Sequence, residues 1–305
     1  MKINNCLYIC LRSSSSYGIF KSYGCSVSEV YKYKSRLAYR ARYLCHAMNL
    51  ELFTWLYEMD DEISNFTPEL ILLEGSLIYE PFVKKLRIRF PLTPIKYFYA
   101  NIVDNNASIS PKTLLKYQIE GYTWDINDSK RYSLNYTKPN YDINLLPDSN
   151  LLQYDACFVG TDKGRYKTVF FLKKTMEDMG LRCFVLMAPD YKFLKFLKAN
   201  YSNPISYEQY LEIVSKSKCI IDIVQKGQIG TTMRVMEAIF SKKKLISNNT
   251  NLMNYDFYNS NNIFILGKDN VDELKEFLNS DYEPIDEGIL NEYKTTTWVK
   301  RIIEE

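Results

Sequence analysis

Two short stretches of this 305-residue chain carry residue types suited to holding an anion. In the first, Gly160-Thr161-Asp162-Lys163-Gly164-Arg165, a turn runs from an apolar stretch (156–159) into an amphipathic one (166–179). Glycine lets a ligand approach the backbone, a helix start offers unpaired N–H groups, and Lys163 and Arg165 add positive charge. A phosphate or diphosphate suits such a site; a tight turn with two solvated bases fits the same pattern. In the second, Gln225-Lys226-Gly227-Gln228-Ile229-Gly230-Thr231-Thr232 joins an apolar run (219–224) to a helix predicted over 231–240. Gly230, Arg234, Glu237 and Ser241 then share one face, and Met233, Met236 and Phe240 share another that should be core. An ionised carboxylate has two oxygens for the two hydroxyls of a ribose. Arg234 and Glu237 beside a glycine-rich helix start therefore suit a diphosphate and a ribose, and an exposed ion pair at i, i+3 is the plainer alternative.

The elements that must position these residues are legible from residue 156 onward. Apolar runs at 156–159, 182–187, 219–224, 245–247 and 263–266 alternate with amphipathic segments at 166–179, 191–199, 207–215, 231–240 and 271–278. Strands apolar throughout and separated by helices predict a parallel sheet covered on both faces, a Rossmann-type unit. The first half repeats the theme: strands at 6–11, 69–73 and 95–100, a long helix at 27–48 and a shorter one at 79–87, with a last strand within 119–140. Residues 142–153 read as a linker and 286–305 as one amphipathic helix closing the chain. The expectation is an α/β protein of two Rossmann-like domains, 1–145 and 146–305, facing across a cleft, with the closing helix in the second.

Composition sets outer bounds. With 46% hydrophobic and 25% charged residues the chain can bury sizeable cores. Thirty-nine Lys and Arg against 36 Asp and Glu leave a net charge of +3, which argues against a nucleic-acid binder. No stretch approaches the roughly 18–20 apolar residues that span a bilayer. The seven cysteines are scattered with no CxxC pair, and His46 is the one histidine, so no zinc pattern is present. A cytoplasmic protein with reduced thiols is expected.

Three segments carry a resemblance: Asp155-Ala-Cys-Phe-Val-Gly-Thr-Asp-Lys-Gly-Arg-Tyr166, Ser206-Tyr-Glu-Gln-Tyr-Leu-Glu-Ile-Val-Ser-Lys-Ser-Lys-Cys-Ile-Ile-Asp-Ile223, and Gly227-Gln-Ile-Gly-Thr-Thr-Met-Arg-Val-Met-Glu-Ala238, the last followed by Lys244-Leu-Ile-Ser-Asn-Asn249. Together they resemble GT-B glycosyltransferases of bacterial capsule and lipopolysaccharide biosynthesis, over residues 155–303. The resemblance implies transfer of a sugar from a nucleotide-diphosphate sugar to a surface-polysaccharide or lipid-linked glycan, the donor on the second domain and the acceptor on the first. It places Glu237 on the donor ribose, Gly230, Thr231, Thr232 and Arg234 on the diphosphate, and Gly160, Lys163 and Arg165 on the loop facing it. Where many retaining members carry a second glutamate this chain has Ile229, so sugar contacts would come from Gln225 or Gln228. A nucleotide-sugar epimerase on the same architecture, and a non-catalytic nucleotide-sugar-binding or scaffold protein, are the alternatives.

An inverting transfer needs a base at the acceptor hydroxyl. Glu74, at a strand end before Gly75, is the best placed, with His46, Asp104 and Asp125 as others, and the loop Arg12 to Gly18 should lie near. No DxD-type site stands at a strand end, Asp60-Asp61 lying in a loop-like stretch, so neither metal nor cofactor is expected. The run Lys242-Lys243-Lys244 reads as a solvated helix end, or as a weak contact with anionic lipid at the inner face of the membrane.

Overall fold

The computed structural model describes residues 5–10, 20–22, 24–48, 50, 53–75, 77–99, 101–103, 107–145, 151–190, 200–225 and 228–304. The chain divides into two units, Met1–Lys138 with Thr295–Glu305, and Pro139–Lys294.

The first unit holds β1 (Cys6–Cys10), β2 (Ser26–Glu29), β3 (Leu70–Glu74), β4 (Ile95–Phe98), β5 (Glu120–Thr123) and β6 (Asn135–Tyr136), in the order β2-β1-β3-β4-β5-β6. Every pairing is parallel. Its helices are α1 (Arg36–Ala47), α2 (Asp61–Ser64), α3 (Glu80–Arg89), α4 (Pro111–Lys116) and α5 (Ile126–Tyr132). Alternation along the strands divides two cores: Leu7, Ile9, Ile71 and Leu73 on one face, Cys6, Tyr8, Cys10, Leu72 and Phe98 on the other.

The second unit holds β7 (Tyr154–Thr161), β8 (Cys183–Ala188), β9 (Ser217–Asp222), β10 (Lys244–Ser247) and β11 (Ile263–Ile265), in the order β11-β10-β9-β7-β8, again all parallel. Its helices are α6 (Tyr166–Asp178), α7 (Tyr207–Ser215), α8 (Met233–Phe240), α9 (Leu274–Asn279) and α10 (Glu287–Glu292). Cys157, Val159 and Ile220 belong to one core and Ala156, Phe158 and Ile221 to the other. The alternation expected from residue 156 onward is thus present, except that 191–199 lies outside the described residues.

Three expectations are corrected. The helix predicted over 27–48 is a strand followed by a helix: 26–29 pairs with β1, and α1 starts at Arg36, where Ser35 Oγ accepts the Ala38 amide at 3.2 Å. The β-branched Val27 suits a sheet edge, and Ser35 is an N-cap signal that hydrophobic periodicity overlooks.

The closing helix is likewise two pieces, α10 and α11 (Thr295–Glu304), interrupted at Tyr293-Lys294. It also does not stay with the second unit. In α11, Trp298, Val299, Ile302 and Ile303 join the core beside Tyr8, Cys10 and Phe98. Trp298 Nε1 donates to Thr137 Oγ1 at 2.9 Å, and the buried Lys96 ammonium donates to the Ile302 carbonyl at 2.9 Å. A cation on the last carbonyls of a helix is favoured by the dipole. Among the described residues no helix is long and apolar enough to cross a membrane.

Candidate functional site

In the second unit both stretches singled out as candidate anion sites leave the carboxyl ends of neighbouring strands, β7 and β9. The first is a sharp turn. Lys163 (φ +44°) and Gly164 (φ +80°) are consecutive left-handed residues. Asp162 Oδ1 accepts the Tyr166 amide at 2.8 Å, starting α6, while Asp162 Oδ2 takes the Tyr201 hydroxyl. The two bases then part company. Lys163 has an exposed side chain. Arg165 is buried, its guanidinium donating to the carbonyls of Asp162 (3.1 Å), Ile223 (2.8 Å) and Thr161. Burial, with the positive charge of Arg234 beside it, pushes the Arg165 pKa down to about 10. Arg165 thus ties the end of β7 to the residue after β9.

At the second stretch α8 begins at Met233, two residues later than its sequence pattern predicts, with Thr232 as N-cap. Thr232 Oγ1 donates to Asp222 Oδ1 at 2.9 Å, so no side chain caps the helix. Arg234 Nη2 donates to the Val159 carbonyl at 2.9 Å, and Nη1 stands 3.5 Å from Asp222 Oδ1. The hydroxyl of Thr231 and Nε of Arg234 are buried with no hydrogen-bond partner among the described residues. The two stretches meet here: a Cβ on Gly160 would stand 2.5 Å from Arg234 Nη2 and 3.4 Å from Arg165 Nη2. The ring of Phe158 lies 5.4 Å from the Arg165 guanidinium and 5.3 Å from that of Arg234.

Asp222 organises this corner and was not among the sequence candidates. It is fully buried, bonded to Thr232 and Arg234, with Ser247 Oγ 3.4 Å from Oδ2. Its signal was a single carboxylate within the apolar run Cys219-Ile-Ile-Asp-Ile-Val224. Asn249 was missed as well; its amide donates to the carbonyls of Ile229 (3.1 Å) and Gly230 (3.3 Å) and so shapes the approach to α8.

Glu237 lies one turn along α8 and is 1% exposed. Its oxygens accept the hydroxyls of Tyr207 (2.8 Å) and Tyr210, and the Tyr141 hydroxyl lies 3.3 Å from that of Tyr207. A capping box sets up this geometry: Ser206 and Gln209 bond reciprocally to fix the start of α7, and Tyr207 and Tyr210, at i and i+3, meet the same carboxylate. Burial raises the Glu237 pKa above the ordinary carboxylate value, against the pull of the two phenols. The helix faces differ in part from expectation. Met236 is core, but Met233 is 45% exposed, because at the first helical position it precedes the turn that packs on the sheet. Gln225 and Gln228 form a half-buried turn, the Gln228 amide donating to the Gln225 carbonyl at 3.1 Å; Lys226 and Gly227 lie outside the described residues.

In the first unit Glu74 ends β3, half-buried, its Oε2 accepting the Tyr8 hydroxyl. Gly75 follows at φ +134°, and its carbonyl accepts the Tyr97 hydroxyl at 2.7 Å. Burial, together with the Glu74 charge, pushes the neighbouring Cys10 thiol up to about 12. The other base candidates have different surroundings. Asp125 caps α5, accepting the amides of Asn127 (2.9 Å) and Asp128 (3.1 Å). His46 is exposed, its ring 4.9 Å from that of Tyr79. Asp60 and Asp61, weighed only as a metal motif in a loop-like stretch, instead open α2, Asp60 pairing with Lys34 at 2.6 Å and Asp61 with Lys32 at 2.9 Å. Asp104 and the loop Arg12 to Gly18 lie outside the described residues.

The lysine run is not a solvated helix end. Only Lys242 is exposed. Lys243 Nζ donates to the carbonyls of Ser215 and Ser217, and the buried Lys244 ammonium to Asn261 O (2.6 Å) and Ser280 Oγ (2.7 Å). Both act as internal braces, which removes the basis for a lipid contact there.

No protein-family profile and no curated protein matches the chain. Solved structures do. An alpha-glucosyltransferase in complex with UDP and a 13-mer DNA containing a central A:G mismatch is 12% identical, over 98% of this chain and 99% of that one, with a TM-score of 0.59. Anabaena Alr3699/HepE in complex with UDP and glucose is 9% identical, over 98% of each chain, with a TM-score of 0.55. The two parallel-sheet units have the GT-B glycosyltransferase fold.

Proposed function

We propose that the protein transfers a sugar from a nucleotide-diphosphate sugar, with the donor diphosphate held in the second unit at the carboxyl ends of β7 and β9. The observation carrying this reading is a pair of buried donors, Thr231 Oγ1 and Arg234 Nε, that have no acceptor among the described residues, beside a helix start that none of those residues caps with a side chain. A buried unpaired donor costs about 1–3 kcal/mol, and a diphosphate brings the acceptors that are missing. UDP in both structural neighbours supports the ligand class.

In this scheme negative charge developing on the leaving diphosphate meets Arg234 and the positive end of α8, and needs no metal ion. Gly160 leaves room beside Arg234, Arg165 holds the two strand ends together, and the exposed Lys163 reaches the outer phosphate. Glu237 takes the ribose once Tyr207 releases Oε1, and Gln225 and Gln228 face the sugar. In the first unit Glu74 takes the proton of the acceptor hydroxyl. The acceptor is a surface-polysaccharide or lipid-linked glycan, met in the cytoplasm at the inner face of the membrane.

Thermal denaturation with UDP, GDP, CMP and ADP tests the donor site. A nucleotide at 100 times its Kd stabilises the fold by about 2.7 kcal/mol, a rise of a few degrees, and Arg234→Gln should abolish that rise. Silence across the four nucleotides would overturn the reading.

A further inference from the structure

The first unit turns an unusual surface to solvent along α1. Only Ala38, Arg42 and Cys45 of this helix are buried. Leu37, Leu44 and Met48, at i, i+7 and i+11, form an apolar line along its exposed side, with Leu37 76% and Met48 65% exposed. Beside that line Arg36 and Arg40, at i and i+4, are both exposed, and neither forms an ion pair among the described residues. The helix carries no acidic residue.

The segment after α1 also exposes aromatic side chains. Phe53 is exposed and sits in the left-handed region, φ 58° and ψ 53°. That conformation is disfavoured for a bulky side chain. Two residues on, Trp55 is half exposed and packs edge-on against exposed Tyr33, ring centroids 5.0 Å apart. The Lys85 ammonium pins the turn between them by donating to the Thr54 carbonyl at 2.8 Å. A scattered exposed leucine needs no explanation, but an apolar line along one helix face bordered by two cations does.

We propose that this face docks on an anionic lipid surface. Leu37, Leu44 and Met48 enter the region between headgroups and acyl chains, and Arg36 and Arg40 meet lipid phosphates. Charge decides against a second copy of this chain as the occupant. Two such faces would bring arginines to a helix with no carboxylate to receive them. The inference is independent of the donor site, which lies in the other unit.

Flotation of the full-length protein tests it, with vesicles of phosphatidylcholine alone and of phosphatidylcholine mixed with phosphatidylglycerol. The protein should float with the mixed vesicles and be released by salt. Arg36→Gln with Arg40→Gln should weaken partitioning by about fivefold per arginine. Leu44→Asp with Met48→Asp should weaken it by at least about tenfold, with the melting temperature and the nucleotide response of wild type, since both positions are exposed. Failure to float with either vesicle would overturn the proposal, as would unchanged flotation of the Leu44→Asp/Met48→Asp protein. A concentration-dependent dimer in sedimentation that the same substitutions abolish would assign the face to a second copy instead.

Discussion

A methyl group on residue 160 would stand 2.5 Å from Nη2 of Arg234, the far end of a flexible side chain. Gly160→Ala should therefore cost little stability, because the guanidinium swings away, yet it should misplace the cation of the proposed donor site. Loss of one charge-assisted hydrogen bond, about 1.5–3 kcal/mol, is about a ten- to hundredfold loss of nucleotide affinity. Calorimetric titration of the variant with UDP measures that loss; unchanged affinity would remove Arg234 from the site. Glu237 gives a second prediction at this scale. Burial raises its pKa above the ordinary carboxyl value of 4.5, so the folded protein keeps that proton to higher pH than the unfolded chain. Folding then costs more as the pH climbs from 4.5 through the raised value, and the cost levels off above it. Glu237→Gln removes this dependence, so its melting temperature relative to wild type should rise across that window. Parallel melting curves would mean that the carboxylate titrates alike in both states.

At the scale of elements, Lys96 reaches from the middle of β4 to the last turn of α11. Lys96→Met keeps the packing of the stem and removes the bond to Ile302, at a cost of about 1–3 kcal/mol. Hydrogen exchange should quicken in α11 and stay unchanged in the second unit's strands; uniform quickening would deny that Lys96 acts on this helix. That latch also marks where sequence reasoning stopped. The strands from residue 156 onward were legible because buried parallel strands are apolar throughout and their connections amphipathic. β2 was not: Ser26-Val27-Ser28-Glu29 is a short edge strand whose two serines and glutamate hide its pairing with β1. Both stretches of the proposed donor site were singled out from glycines and bases in βα turns. Their convergence was not, because it runs through Asp222 and through Arg234 reaching back to Val159, contacts between residues distant in the chain. Nor was the enclosure of Glu237, since tyrosines spread through the whole sequence gave no reason to single out Tyr207 and Tyr210.

For the whole molecule, the return of α11 makes the two units unequal as pieces of chain. The second, 139–294, is continuous; the first needs residues 295–305 from the far end of the sequence. Trp298, Val299, Ile302 and Ile303 are all buried against the first sheet. At about 1.5–3 kcal/mol for each buried apolar side chain, their removal costs on the order of 10 kcal/mol, and area-based figures of this kind are upper bounds. A domain has only about 5–15 kcal/mol in total, so a fragment of residues 1–138 should fail to fold. Adding a peptide of residues 295–305 in trans, or fusing it after residue 138 through a flexible linker, should restore a cooperative melt. The fragment 139–294 should melt cooperatively by itself and keep the nucleotide-dependent rise in melting temperature, because every residue proposed for the donor lies within it. A folded 1–138 fragment would make α11 an accessory to its sheet. A folded 139–294 fragment deaf to every nucleotide that stabilises the full chain would mean that the donor site needs the first unit to be complete.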